Sequence, residues 1–404
     1  MSGLDSDSRS LACGIDATFP AETSVVGRYR GLFAFGEPDA DAAFKRALMS
    51  MSVQEGARVF LLGAYRGVEI HVLDESSLMH TGTLKSIDGC LAAAKCRVSG
   101  CERVVFESGG NTGNALTAYG QRAGVETFCV VPAENLPLLD GATFAAAGAH
   151  LIAAGERALV KPAARLLADL DGARHIPDLS WRYEAARFRG AFILEHMLAR
   201  GPFDWIAQTI SAAFGPIGIY DVFRRFAPPA MRPPRFLGVQ QAANCPMYTA
   251  WQSDRGLAGS APAGAAHEEL LTRVMYDATP QTYGTYDDLK GILAATSGSM
   301  TTIARAEFDE ALDRPFEGGR LLDLLADRGA RIGTRDGDVV ERTGLIAFAG
   351  TLKAIDSGAI APDSRVLCCL TSGTKPGDGR AVPDLVINDL ESARDQLRNL
   401  VARG

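Results

Sequence analysis

The sequence predicts an α/β protein of two lobes, each a mainly parallel β-sheet flanked by helices. Short apolar runs of strand length alternate with helical patterns of about 10 to 15 residues, which is typical of βαβ units. The alternation occurs in two blocks, which a more charged, helical segment separates between residues 156 and 201. Glycine accounts for 43 of the 404 residues, above the roughly 7% of average usage, which indicates many tight turns.

The first block begins at Arg58 with the apolar run RVFLLGAY, which we interpret as a buried strand. Gly100 and Gly124 end the two helices that follow, and Pro132 ends a later strand. The elements after the first strand are a helix in KSIDGCLAAAKCRVSG, a strand in CERVVFESGG, a helix in NTGNALTAYGQRAG, a strand in ETFCVVP, and a helix and a strand in GATFAAAGAHLIAAG.

The second block begins with the strand candidate FDWIAQTI. Its later elements are a loop and helix in FGPIGIYDVFRRF, a strand in RPPRFLGVQQ, a helix in HEELLTRVMYDAT, a helix that ends at Gly358, and a last strand, RVLCCL, before the loop TSGTKPGDG. Ligands of such sheets bind beyond the carboxyl ends of the strands. Polar residues that follow strands are therefore the candidates for a site.

Composition excludes several classes of function. With 41 basic and 48 acidic side chains, no basic face for nucleic acid is expected. The eight cysteines include no C-x-x-C, so we expect neither a zinc ribbon nor another metal site. No signal peptide is recognisable, and no apolar stretch approaches the ~18 residues of a transmembrane helix. We therefore expect a cytoplasmic protein with no nucleic-acid or membrane partner.

Three segments at strand ends could carry chemistry. The first is VVFESGGNTGN, residues 104–114, which leads a strand into a helix. Free backbone amides at such a helix start bind carboxylates or phosphates, although an ordinary turn with an Asn or Thr cap has the same composition. The third, QTISAAFGPIG at residues 208–218, could hold a phosphate through its amides or be an ordinary strand-to-helix connection.

The second segment, LMHTGTLKSIDG, places Lys85 in the first turn of a predicted helix. A cation there opposes the helix dipole. Its neighbours Leu84 and Ile87 are apolar and Gly82 and Thr83 are small, which indicates a tucked-in side chain. Desolvation lowers the pKa of such an amine and makes it a nucleophile suited to imine chemistry. A solvated surface charge is the alternative for any single lysine.

The order of these pieces resembles that of the pyridoxal-phosphate enzymes of the tryptophan-synthase-β fold (fold type II), and within them the threonine synthase group. The shared order is T-G-T-x-K-S, then S-x-G-N-T-G, then a strand-loop-helix, and a final strand ending in T-S-G. The resemblance spans roughly residues 28–379. The stretch GVQQAANCPMYTAWQ is also similar to cysteate synthase, although an aromatic core cluster of a wider clade would look alike.

The resemblance implies a site for pyridoxal 5'-phosphate. Lys85 would form the Schiff base and move the Cα proton, Asn111 would bind the pyridine 3-oxygen, and a hydroxyl of Thr371 or Ser372 would face the pyridine nitrogen. The implied cofactor-binding residues are Lys85, Asn111, Ala213, Phe214, Gly215, Pro216, Ile217, Gly218, Thr371 and Ser372. The implied substrate-binding residues are Thr83, Ser108, Gly110, Thr112, Gly113 and Gln240.

The resemblance also implies a division of the chain and a reaction. We expect a flexible arm at 1–24, a large cofactor-binding domain at 25–90 and 196–404, and a small mobile domain at 91–195. The expected reaction is β-replacement on O-phosphoserine or a similar activated amino acid, with sulfite as nucleophile, in a homodimer. The alternative within this chemistry is a threonine synthase acting on phosphohomoserine.

One departure from the family pattern motivates a further alternative. Ala212, Ala213 and Phe214 stand where the family mostly has glycines in its phosphate loop, and each Cβ limits how closely the backbone approaches an oxyanion. A non-catalytic relative that binds an amino acid would also fit such a loop.

Overall fold

The computed structural model describes residues 11–171, 173–175, 180–257, 269–276, 285–335, 338–339, 341–373 and 380–402. Within them, the larger sheet has six strands. In spatial order these are β1 (Arg58–Tyr65), β2 (Val68–Asp74), β14 (Arg365–Leu370), β7 (Trp205–Thr209), β8 (Arg235–Gln241) and β9 (Ser299–Ile303). Only β1 runs antiparallel to its neighbour, and the other pairs are parallel.

The smaller main sheet has five strands, and all its pairs are parallel. In spatial order they are β15 (Leu385–Ile387), β5 (Ala149–Ala154), β4 (Glu126–Pro132), β3 (Arg103–Glu107) and β6 (Arg174–His175). Two short hairpins add β10 (Pro315–Phe316) with β11 (Gly319–Arg320), and β12 (Thr334–Arg335) with β13 (Asp338–Val339). The two large parallel sheets confirm the predicted fold class.

Helices cover the sheets. They are α1 (Val25–Tyr29), α2 (Pro38–Met51), α3 (Lys85–Val98), α4 (Asn111–Ala123), α5 (Gly141–Phe144), α6 (Val160–Asp171), α7 (Ser180–Arg200), α8 (Phe214–Phe226), α9 (Pro246–Asp254), α10 (Tyr286–Thr296), α11 (Arg305–Asp313), α12 (Leu321–Asp327), α13 (Ile346–Asp356) and α14 (Leu390–Val401). In the part of the chain that the structure describes, no helix is long and apolar enough to cross a membrane.

The packed interior consists of three apolar clusters. The first joins α2, α3, α4 and α7 around large buried side chains such as Tyr29, Tyr119 and Phe188. The second lies between the larger sheet and α13, and the third lies between the smaller sheet, α6 and α14. Every strand predicted from an apolar run is present, because each run is long enough to be buried within a sheet.

The helix predicted in HEELLTRVMYDAT is wrong over its described part. Residues 270–276 contain only bends and turns. Gln241 holds this stretch, since its side chain donates to the carbonyl of Thr272 and accepts from the Thr272 amide, both at 3.1 Å. These two bonds use backbone groups that a helix would have paired internally. Residues 267–268 and 277–279 of the same segment lie outside the described residues.

Both ends of the described chain differ from the predicted domain division. Leu11 and Ala21, within the predicted arm, are buried, whereas residues 1–10 lie outside the described residues. The strand β15 pairs with β5 of the smaller sheet, although the predicted division assigns it to the large domain. The division itself stays a prediction.

Candidate active site

A cavity of about 660 Å³ opens where strands of both large sheets end. The carboxyl ends of β3, β4, β7 and β14 reach it, followed by the loops that the sequence singled out. Eleven of the sixteen predicted site residues line it, namely Thr83, Lys85, Ser108, Gly110, Asn111, Thr112, Ala213, Phe214, Gly215, Thr371 and Ser372. The other five, all described, lie away from the lining: Gly113, Pro216, Ile217, Gly218 and Gln240.

Lys85 is the first residue of α3, as predicted. The turn before it is tied to the end of β14, because the Leu84 amide donates to the Thr371 carbonyl at 3.0 Å and the Gly373 amide donates to the Gly82 carbonyl at 2.9 Å. The Lys85 side chain is 26% exposed, toward the cavity. The larger sheet therefore fixes the backbone from which the amine extends.

The charge of the Lys85 amine is under opposing influences. Burial lowers its pKa, and the nearby guanidinium groups of Arg182 and Arg189 lower it further. The carboxylate of Asp88, 2.7 Å from Lys85 Nζ, acts in the opposite direction. The net pKa lies below the ordinary lysine value, which increases the share of neutral, nucleophilic amine.

The loop between β3 and α4 lines the same cavity as Lys85. Ser108 Oγ accepts hydrogen bonds from the amides of Gly110 at 3.1 Å and Gly113 at 2.7 Å. Gly110 has a φ of 152°, a conformation that glycine adopts without strain. The loop's own hydrogen bonds and the Gly110 conformation therefore hold it in this form. The Gly113 amide donates to Ser108 and is not available to a ligand in the cavity.

The 208–218 segment also borders the cavity, through residues 208–215. Ala213 precedes α8 with φ 57° and ψ 14°, which is the left-handed region that glycine favours. Residues 211–215 line the cavity, whereas Pro216, Ile217 and Gly218 are turned away within the helix. At Gly218 a Cβ would lie 2.4 Å from Ala186 Cβ, so this glycine serves the close packing of α8 on α7.

Gln240 also serves the packing of the larger sheet. Its Oε1 accepts from the Tyr248 amide at 2.9 Å and its Nε2 donates to the Ile210 carbonyl at 3.5 Å. The side chain is buried, and these bonds connect β8 to the start of α9. A direct contact of Gln240 with substrate stays a prediction.

Three buried oxygens on the cavity wall have no hydrogen-bond partner among the described residues: Asn111 Oδ1, Thr209 Oγ1 and Ser372 Oγ. A buried polar atom without a partner costs about 1 to 3 kcal/mol. Their grouping around one cavity, with an amine of lowered pKa, fits an aromatic cofactor that carries polar substituents and an aldehyde. The residues present therefore suit pyridoxal phosphate.

The sequence prediction missed the cations of the cavity wall. Arg157, Lys161, Arg182 and Arg189 all line it. A signal existed for Arg189, because it lies between Ala185 and Phe192 at helical spacing, on the face of α7 that is otherwise apolar and buried. A charge at such a position requires a specific partner.

The model of the family described as "Pyridoxal-phosphate dependent enzyme" matches residues 58–305. This range contains β1, Lys85, the loop before α4 and the segment before α8. The chain belongs to this family. The protein is accordingly a pyridoxal-phosphate-dependent enzyme, which removes the alternative of a non-catalytic relative.

Curated relatives include two cysteate synthases. That of Methanosarcina barkeri is 25% identical over 78% of this chain and 73% of its own length. That of Methanospirillum hungatei is 27% identical over 46% of this chain, and the match covers 41% of the relative. A threonine synthase of Methanosarcina acetivorans is 24% identical over 79% of this chain and 73% of its own length.

A solved structure agrees on the fold. The processed form of threonine deaminase isoform 2 from Solanum lycopersicum superposes with a TM-score of 0.55 at 15% identity, over 92% of this chain and 91% of that one. At this identity the similarity concerns the fold alone. It confirms the predicted fold type II architecture.

Proposed function

We propose that the protein catalyses β-replacement on O-phosphoserine or a similarly activated amino acid, with sulfite as the nucleophile. The observation that carries the proposal is that Lys85 lines the same cavity as two residues with neutral hydroxyls, Thr371 and Ser372. A neutral hydroxyl at the pyridine nitrogen makes the ring less electron-withdrawing than an acid would. This tuning suits elimination and replacement better than transamination.

When bound, the cofactor supplies an electron sink for negative charge at the substrate α-carbon. The chain's own groups supply the rest. Lys85 Nζ would hold the cofactor and, as a free amine, would take the α-proton of the substrate. The hydroxyls of the loop before α4, and those of its amides that Ser108 does not occupy, bind the substrate carboxylate. Phosphate then leaves Cβ with the bonding electrons, and sulfite adds at the same carbon.

Charge in the cavity supports an anionic substrate and nucleophile. Among the described lining residues the only carboxylate is Glu107, which lies 2.8 Å from His175 Nε2, against five cationic side chains. Three of the five, Lys85, Arg157 and Arg189, pair with carboxylates outside the lining, so the positive charge of the wall is partly compensated. Excess positive charge in a cleft raises the local concentration of anions. The cysteate synthases among the relatives support sulfite as the nucleophile.

The second candidate is a threonine synthase acting on phosphohomoserine, in which phosphate leaves Cγ and water adds at Cβ. The threonine synthase of Methanosarcina acetivorans, similar over 79% of this chain, favours it. The cationic wall of the cavity suits this substrate equally, because both carry a phosphate.

A spectrum tests the cofactor chemistry. Purified protein is expected to absorb in the visible range through the lysine-bound cofactor, and Lys85→Ala is expected to lose that band. Lys95→Ala is the matched control, since Lys95 lies on the same helix, pairs with Glu184 and is not among the cavity-lining residues. An unchanged spectrum in Lys85→Ala would contradict the proposal.

Product analysis separates the two reactions. Phosphate release and sulfonate product from O-phosphoserine with sulfite support β-replacement, whereas phosphate and threonine from phosphohomoserine support the second candidate. Release of phosphate from neither compound would refute both.

We also propose that the enzyme is a cytoplasmic homodimer with a mobile small domain at 91–195. The family resemblance supports the dimer, and the eight cysteines, which all lie in the described part of the chain and form no disulfide, are compatible with a reducing compartment. Sedimentation velocity would measure the mass of the assembly.

A further inference from the structure

A buried guanidinium lies directly behind the start of α8. The Arg189 side chain is 2% exposed and pairs with Glu75, whose side chain is 1% exposed. Its Nε donates to one oxygen of Glu75, and its Nη2 donates to the other at 2.6 Å and to Gln208 Oε1 at 2.9 Å. These bonds fix the plane of the guanidinium.

The remaining nitrogen, Nη1, donates to no described residue. It lies against Gly215, since a Cβ there would be 2.7 Å from Nη1 and 2.4 Å from Gln208 Nε2. Arg189 and Gly215 both line the cavity. A guanidinium nitrogen that borders a cavity and has no protein acceptor is a strong donor for an anion, so the arrangement suits an anion at the start of α8.

We propose that Arg189 Nη1 is a direct ligand of the cofactor phosphate. This inference rests on the proposed function, because it assumes that the loop at 211–215 receives that phosphate. The loop has Ala212, Ala213 and Phe214 where close backbone approach would favour glycine. A charge-assisted hydrogen bond from a guanidinium to phosphate is about twice as strong as a neutral one. The hydrogen bond from Arg189 therefore compensates for the weaker phosphate binding by a backbone that has few glycines.

Glu75 does not cancel this role. The carboxylate neutralises one charge and occupies Nε and one hydrogen of Nη2, so it orients the guanidinium while Nη1 stays available. Glu75 is thus a positioning residue. A purely structural Arg189, present only to satisfy Glu75, would not favour a phosphate-bearing ligand over one that lacks it.

The test compares pyridoxal phosphate with pyridoxal, which lacks the phosphate, by titrating the apoprotein and following absorbance. Arg189→Met is expected to weaken binding of pyridoxal phosphate by about 10- to 100-fold while changing pyridoxal affinity by less than about threefold. Arg187→Met on the same helix, which removes a cation paired with Asp221, is expected to retain both affinities. Equal losses for the two ligands, or no loss, would overturn the inference.

Two further measurements keep the test decisive if Arg189→Met leaves Glu75 unpaired and fails to fold. The double variant Glu75→Gln, Arg189→Met removes both charges and is expected to show the same selective loss. In the wild-type holoenzyme, the ³¹P resonance is expected not to titrate between about pH 5 and 8, since a guanidinium holds the second phosphate pKa below its ordinary value near 6. A resonance that titrates near pH 6 would overturn the inference.

The outcomes separate this inference from the proposed function. If wild-type protein converts O-phosphoserine but Arg189→Met keeps its preference for pyridoxal phosphate, only the role of Arg189 is wrong. If Lys85→Ala leaves the spectrum unchanged, the proposed function fails whatever Arg189 does.

Discussion

The reactivity of Lys85 depends on a neighbour one turn along the same helix. Burial lowers the pKa of the amine, and the Asp88 carboxylate, 2.7 Å away, raises it. A carboxylate stabilises the ammonium form, which cannot attack an aldehyde. Asp88 therefore restrains the nucleophile at low pH while holding it in place.

Replacing Asp88 by Asn removes that restraint. The pKa of Lys85 is expected to fall further, so the rate of covalent capture of pyridoxal phosphate by the apoprotein should reach its plateau at a lower pH. Asp88→Glu keeps the charge and is expected to keep the wild-type profile. Stopped-flow absorbance across pH measures both variants. A profile for Asp88→Asn that coincides with the wild type would show that Asp88 does not tune the amine.

Individual site residues could be predicted from the sequence where the neighbouring residues alone determine their position in the fold. Lys85 and Asn111 are each the first residue of a helix that follows a turn rich in small residues. The local backbone alone therefore places both residues at the cavity. Arg189 could not be assigned in this way, because its partners Glu75 and Gln208 follow or end other strands. These contacts form only when α7 packs beside the residues that follow β2 and those near the end of β7.

At the scale of elements, the segment at 211–215 leads into α8, which packs closely on α7. The helices α7 and α8 approach closely at Gly190 and Gly218, where a Cβ would lie 2.9 Å from Ile219 Cα and 2.4 Å from Ala186 Cβ respectively. Ala213, directly before this helix, adopts the left-handed conformation. The strain is about 1 kcal/mol or more for a residue with a Cβ.

Two neighbouring Ala→Gly variants test this strain, because they are expected to change the free energy of unfolding in opposite directions. Ala213→Gly is expected to raise the free energy of unfolding by about 0.5 to 1 kcal/mol, because glycine adopts this φ freely. Ala212→Gly, where φ is not positive, is expected to lower it by about 0.4 to 1 kcal/mol through chain entropy. Urea denaturation of the apoprotein measures both. A decrease in both variants would contradict the strain at Ala213.

Helices and strands were predicted correctly where the spacing of apolar residues agreed with the residues that end such elements. The prediction failed where a distant side chain binds the backbone groups of the segment. Gly124, at φ 70°, ends α4 as expected. The 269–276 stretch has helical spacing of apolar residues, yet Gln241 binds both backbone groups of Thr272. No pattern within the segment reports a partner 31 residues away.

At the scale of the whole molecule, the chain returns to the smaller sheet at its end. After Ser372 at the active site, β15 pairs with β5 and α14 packs on α6. Ile387, Ala393 and Leu397 join the third apolar cluster. The sequence indicated two parallel sheets but not this return, because strand pairing between residues 385–387 and 152–154 leaves no local signal.

The final helix is therefore expected to stabilise the smaller sheet specifically. Leu397 is fully buried against this lobe, so Leu397→Ala should lower the free energy of unfolding by about 2 to 4 kcal/mol. The exposed neighbour in Gln396→Ala should cost less than about 0.5 kcal/mol. Hydrogen exchange is expected to show the loss of protection in β4 and β5, while β7 and β14 stay protected, because α14 contributes to the core of one sheet only. Equal loss in both sheets would mean that the two lobes unfold as a single unit and that α14 supports the larger sheet through the connection at Ser372.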